Sequence, residues 1–208
     1  MQEFADTSSE NHGNHLSLFK LSTLVYGVMT IVGASITHYG HDGLLFATSW
    51  PEGTKEISRH VGIGVVAAAF LLVLSYNFEN WFASFRQLKV SITRLLGPCS
   101  VPMALYLALI SSIGEEVLFR GAIQPLAGIF FTSVLFGLIH LGQDGKISSW
   151  SLWAVIAGFV LGMIYDWTGR LWPPIIAHFL VNAISILNLR RAYGRLMDET
   201  GDTGQATS

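Results

Sequence analysis

The chain of 208 residues is 51% hydrophobic and only 12% charged, with a mean hydropathy of +0.48, where soluble domains carry about a quarter charged residues. Fourteen acidic side chains nearly balance twelve scattered basic ones, so no basic face exists for a phosphate backbone and nucleic acid is excluded as a partner. The single cysteine, Cys99, excludes an intramolecular disulfide, a cysteine-based zinc cluster and a CxxC redox pair.

In chain order, residues 1–17 are polar and acidic, lack a core-forming period and read as a solvated segment. They have neither the basic lead nor the A-x-A site of a cleaved signal peptide. Six charge-free apolar runs follow, at residues 21–41, 61–78, 95–114, 121–143, 147–165 and 171–189, each near the roughly 20 residues that cross a bilayer. They predict an all-α, polytopic helical membrane protein with about six transmembrane helices. We expect one membrane domain, residues 1–208. Residues 18–100 would supply two N-terminal spans and a basic amphipathic helix, residues 101–190 a four-helix catalytic core, and residues 191–208 a polar tail.

Between the first two runs lies HYGHDGLLFATSWPEGTKEISRH, a Gly- and Pro-punctuated loop that can reach the interface through Trp50. Its His38, His41 and His60 fit neither HxxxH nor HExxH and read as exposed loop histidines rather than metal ligands. Over residues 81–96, Trp81, Phe82, Phe85, Leu88, Ile92 and Leu96 recur at three or four residues with Arg86, Lys89 and Arg94 between them, a basic amphipathic helix suited to anionic headgroups. Loop charges place Lys20, Arg86, Lys89, Arg94, Lys146, Arg190, Arg191 and Arg195 on one side against Lys55, Arg59 and Arg170 on the other. Both termini are therefore expected inside, as in a bacterial inner membrane.

An ionisable group in a bilayer costs a few kcal/mol and needs a partner or a function. The third run leads without a breaker into Glu115, Glu116 and Arg120, with Gly121 and Pro125 expected to close the helix. Glu116 and Arg120, four apart, can pair as a supporting ion pair, whereas Glu115 is rotated about 100° away and stays free. The next run carries Phe136 and His140, and the last His178 and Asn182, each pair one turn apart. A buried carboxylate beside an imidazole can take a proton from water, which suits Glu115 and His140. A histidine and an amide can donate to an oxyanion, which suits His178 and Asn182. Phe136 reads as core packing that also shapes the pocket.

EExxxR at 115–120, FxxxH at 136–140 and HxxxN at 178–182, in that order on successive helices, resemble the CAAX protease and bacteriocin-processing family of intramembrane glutamate endopeptidases. The resemblance covers residues 101–189 and implies that Glu115 and His140 activate water, Glu116 and Arg120 support the site, and His178 and Asn182 stabilise the oxyanion. It implies hydrolysis of a membrane-associated or prenylated peptide or protein, without a cofactor. The family includes members that process prenylated proteins and others linked to bacteriocin maturation or self-immunity, so the substrate stays open.

Rival readings use the same residues. Two histidines and a glutamate could hold zinc, although no HExxH is present. Intramembrane Glu, Arg and His could line the path of a small transporter, although no inverted repeat is visible. A non-catalytic immunity or binding protein could keep the fold. An aspartyl mechanism would need a GxGD partner for Tyr165-Asp166, which is missing, so Asp166 reads as a loop residue. A serine dyad would need GxSG, also missing, so Ser111 and Ser112 are expected to satisfy carbonyls of their own helix.

Overall fold

The computed structural model describes residues 2–40, 53–142 and 145–202. Helix α1 (Gln2–Gly40) is followed by α2 (Thr54–Trp81), α3 (Ala83–Leu96), α4 (Val101–Glu116), a π-helical segment (Val117–Ile123), α5 (Gln124–Leu138), α6 (Ser149–Thr168) and α7 (Trp172–Asp202). The protein is an all-α polytopic membrane protein. Five helical segments, Ser17–Gly40, Thr54–Trp81, Val101–Leu138, Ser149–Thr168 and Trp172–Arg195, are long and apolar enough to cross a bilayer.

The third and fourth apolar runs share one of these segments because the helix does not stop where the sequence suggests. Pro125 has no N–H for the Gly121 carbonyl, yet the chain stays helical through it. The backbone widens to π register over Val117–Ile123, and Thr37 Oγ1 on α1, whose one hydrogen is shared with Gly33 O of its own helix at 2.9 Å, stands 3.0 Å from Gly121 O where the amide is missing. The chain turns three residues later, at Gly128, with φ 78 and ψ 162, a conformation open to glycine. On a straight helix Phe119 and Phe136 would stand about 25 Å apart, but their ring centroids are 5.0 Å apart. Val101–Leu138 is therefore a hairpin. Its return arm, residues 129–138, rises only about 15 Å, half of the roughly 30 Å hydrocarbon core. That length brings His140 back level with Glu115.

Other boundaries follow local chemistry. Ser100 accepts from Met103 N at the start of α4, with Pro102 in the first turn. Ser148 and Ser151 form a capping box on α6, and left-handed Gly169, φ 62, ends it. Close approach of helices rests on small residues: a Cβ on Gly33 would stand 2.8 Å from the Leu118 backbone, and one on Gly114 would stand 2.9 Å from Tyr26 O. Ser84 meets Ser149 at 2.8 Å at the end of the bundle that carries α3, and Arg170 meets Glu56 at 3.5 Å at the other.

Several expectations change. The helices α1 and α7 run through the polar segments expected outside them, from Gln2 and to Asp202. His60 is not a loop residue. It lies in α2, 2% exposed, with Nε2 3.6 Å from Glu56 Oε1 one turn earlier. His38 ends α1 beside the Tyr39 ring; His41 and Trp50 lie outside the described residues. Asp166 is helical, not in a loop, because α6 runs on to its left-handed end at Gly169, and its carboxylate accepts from buried Gln124 Nε2 at 2.7 Å. The amphipathic helix is present as α3, but two of its basic residues turn to α2: Arg86 donates to Glu79 O and Asn80 O at 2.8 and 3.1 Å, and Lys89 pairs with Glu79 at 2.6 Å. The carbonyls ending α2 have no helical partner, and the guanidinium supplies one.

Candidate active site

The hairpin, α6 and α7 bring the three motifs together. Glu115, Glu116 and Arg120 come from α4 and the π segment, Phe136 from the return arm with His140 at its end, and His178 and Asn182 from α7. Glu116 and Arg120 are fully buried, and Glu115 and His178 are nearly so.

Glu116 and Arg120 pair as the spacing suggests, with Arg120 Nη1 3.1 Å from Glu116 Oε1. Arg120 sits inside a continuous helical run rather than at a helix end, so it draws a second acceptor from α6. Its Nη2 donates to Gly158 O at 2.9 Å, and the guanidinium stands 4.8 Å from the centre of the Phe136 ring. Gly158 allows this approach, since a Cβ there would stand 3.3 Å from Phe136 Cδ1.

The imidazoles are fixed through Nδ1. His140 Nδ1 lies 2.7 Å from Phe136 O, and a carbonyl only accepts, so Nδ1 carries the proton. His178 Nδ1 lies 2.8 Å from Glu116 Oε1, and the carboxylate, already paired with Arg120, accepts there too. Both Nε2 atoms then face Glu115, at 3.9 Å for His140 and 3.8 Å for His178. Glu115 Oε2 has no hydrogen-bond partner. Glu116 Oε2 is likewise unpartnered, but Glu116 is engaged through Oε1 and does not line the cavity, whereas Glu115 does; the gaps to the two Nε2 atoms are too long for direct bonds and suit a shared water.

Phe136 packs between the histidines, 4.6 Å from the His140 ring and 6.1 Å from His178. Asn182 Nδ2 donates to Ser111 Oγ at 3.0 Å, which leaves its second amide hydrogen free of that bond. Ser111 Oγ in turn donates to Ala108 O, and Ser112 Oγ to Leu109 O, as expected of serines within an apolar helix. A cavity of 530 Å³ joins Glu115, His140, His178 and Asn182 to apolar side chains of α2, α3 and α6, with Lys89 and Glu79 also on its wall. Among the described residues, no group of three or more His, Cys, Asp or Glu is disposed as metal ligands.

Residues without a motif also contribute. Ser111 holds Asn182, the Trp150 ring stands 6.0 Å from His140, and Tyr26 of α1 lines the cavity. An aromatic or a serine in an apolar run gives no signal until the helices are packed.

Residues 97–184 match the family model described as type II CAAX prenyl endopeptidase Rce1-like. Over 135 residues the chain is 30% identical to uncharacterized protein YpbD of Bacillus subtilis (strain 168), covering 64% of this chain and 70% of that protein. Over 97 residues it is 29% identical to "Putative membrane peptidase YdiL" of the same organism, covering 42% of this chain and 38% of that protein. No solved structure matches.

Proposed function

The chain belongs to the CAAX protease and bacteriocin-processing family, and from that premise we propose that it is an intramembrane glutamate endopeptidase acting at Glu115, His140, His178 and Asn182. The observation that carries this reading is the buried, unpartnered Oε2 of Glu115, facing Nε2 of both histidines at the wall of a large, mostly apolar cavity.

Glu115, with His140 beside it, takes a proton from a water whose oxygen attacks the scissile carbonyl carbon. The resulting oxyanion faces His178 and Asn182. Because Nδ1 of His178 is committed to Glu116, donation from Nε2 requires the imidazolium, whose charge Glu116 balances at 2.8 Å. Asn182 offers its second amide hydrogen. The proton held by Glu115 then passes to the leaving nitrogen as the C–N bond breaks, with no covalent intermediate.

The substrate is a membrane-associated or prenylated protein or peptide, whose apolar part the walls from α2, α3 and α6 would accept. In this reading the protein sits in a bacterial inner membrane with both termini cytoplasmic, supported by the excess of basic residues on one side. Gly97 and Tyr193 pack together near α3, on the side where Arg86, Lys89, Arg190, Arg191 and Arg195 gather, against Arg170 beside Glu56 at the far end.

The test is cleavage of a quenched-fluorescence peptide library, supplemented with farnesylated CAAX peptides, by purified wild type and Glu115→Gln, each with and without a strong zinc chelator. Cleavage that resists chelator and is lost in the isosteric variant is the expected result. Cleavage lost to chelator and restored by zinc would replace this mechanism with a metalloprotease at the same residues. Cleavage unchanged in Glu115→Gln would remove Glu115 from the chemistry.

A further inference from the structure

The cavity runs well past the four residues of the proposed chemistry. Along α7 it is lined by His178, Asn182, Ser185 and Asn188, and helical geometry orders them. Ser185 stands about 10 Å further along the axis than His178 and only about 20° round from it, and Asn188 stands about 9 Å beyond Asn182. Ser75 of α2 lines the same cavity. Helices α2 and α7 run side by side in one direction, since Glu56 meets Arg170 just before α7 and Gly64 packs on Ile176. Ser75 follows Gly64 by eleven residues, while Ser185 and Asn188 follow Ile176 by nine and twelve, so the three stand at one level of the bundle.

A serine inside a helix ordinarily donates to a carbonyl of the preceding turn. Other serines on the cavity wall do so, Ser22 to Leu18 O at 2.6 Å and Ser111 to Ala108 O at 3.2 Å. Among the described residues, by contrast, Ser75, Ser185 and Asn188 make no side-chain hydrogen bond. Glu79, one turn beyond Ser75, is taken by Lys89 at 2.6 Å. The neighbouring wall is apolar, with Leu71, Leu72, Ile186 and Leu189. Polar groups on such a wall need a partner, and a hydroxyl and an amide can each both donate and accept.

We propose that Ser185 and Asn188, with Ser75 beside them, bind the main chain of an extended substrate segment within about three residues of the scissile bond. An extended chain advances about 3.3 Å per residue. When its scissile carbonyl lies at His178 and Asn182, the main-chain groups one to three residues away fall beside Ser185 and Asn188. Every peptide carries those groups, so they hold the strand in register while the apolar walls receive its side chains. Water on the three polar groups is exchanged for peptide without leaving them bare. The position of the scissile bond rests on the proposed hydrolysis; the unpartnered groups on the wall do not.

The test measures binding apart from cleavage. Full-length Glu115→Gln in detergent, alone and combined with Ser185→Ala or Asn188→Leu, is titrated into a fluorescein-labelled farnesylated CAAX peptide, and anisotropy gives Kd. Each substitution is expected to raise Kd up to about tenfold, the range of one hydrogen bond. A set of peptides with one backbone ester each, placed in turn on either side of the scissile bond, reads whether the main chain is the partner, because an ester lacks the N–H and is a weaker acceptor. At one position the ester is expected to weaken binding to Glu115→Gln and to add nothing once Ser185→Ala is present. Kd unchanged by both substitutions would overturn the proposal, as would ester losses that add to the Ser185→Ala and Asn188→Leu losses at every position. Coupling at one position, in a protein whose wild type cleaves nothing, would uphold main-chain binding and count against the hydrolase. Failure of all three proteins to bind the peptide would overturn both the proposed substrate and this binding site.

Discussion

His178 Nδ1 lies 2.8 Å from the same Glu116 oxygen that Arg120 Nη1 reaches at 3.1 Å. One carboxylate oxygen therefore fixes the face that His178 turns to the cavity and anchors the guanidinium that ties the π segment to α6. The two adjacent glutamates differ because of where the helix sends them. Each has an Oε2 without a hydrogen-bond partner, but Glu116 holds Arg120 and His178 through its Oε1, whereas Glu115 is the one that lines the cavity.

Glu116→Gln keeps the shape but removes the charge that balances a protonated His178. If the imidazolium donates to the oxyanion, kcat should fall by about 10²-fold, the typical loss of one oxyanion donor, with little change in KM. Steady-state kinetics on a cleavable peptide check this. A rise in KM alone would place His178 in substrate binding instead.

Arg120→Ala strands Glu116 inside the bundle and leaves Gly158 O without its donor. Removing one partner of a buried pair costs about 3–5 kcal/mol, so folded yield and thermal midpoint in detergent should drop sharply. Arg120→Lys should recover only part of the loss, because one ammonium lacks the fork that reaches Glu116 and Gly158 together. Arg120→Ala that accumulates and cleaves like wild type would refute this role.

Thr37 and Pro125 are coupled through Gly121 O. Thr37→Val should destabilise by about 1–3 kcal/mol, the cost of a buried polar group left unpaired. In a Pro125→Ala background the restored N–H can serve the same carbonyl, and the cost of Thr37→Val should shrink. A double-mutant cycle in chemical denaturation measures the coupling; strict additivity would mean that the hydroxyl does not replace the amide.

Gly33→Ala places a methyl 2.8 Å from the Leu118 backbone, which cannot give way as a side chain would. The expected cost is about 1–3 kcal/mol, as for overpacking, seen as a lower thermal midpoint.

Cys99, between α3 and α4, is 1% exposed, and burial pushes its thiol above the ordinary value although Arg190 opposes the shift. Since the thiolate is the nucleophile, the folded protein should resist maleimide at mildly alkaline pH and react fully in SDS. Intact-mass analysis reads the difference. Rapid labelling of the folded protein would show that the corner between α3 and α4 opens.

The all-α membrane fold and the seven residues of the three motifs were legible in the sequence because run length and i, i+4 spacing are local properties. A bilayer sets the first and helical geometry the second. The pairing of Glu116 with Arg120 was legible for the same reason. The hairpin was not. Pro125 is the stronger breaker in sequence, and only the Thr37 hydroxyl from α1, together with the π register, lets the chain pass it and turn at Gly128. Asp166 and His60 looked like loop residues because their partners, Gln124 and Glu56, count only once helices have formed. Ser111 carries no signal in an apolar run, since an O–H contributes according to what it meets. Sequence thus determined which residues could do chemistry, and tertiary structure decided which hydrogen each one gives or takes, because hydrogen bonds between helices depend on packing that no spacing along one chain encodes.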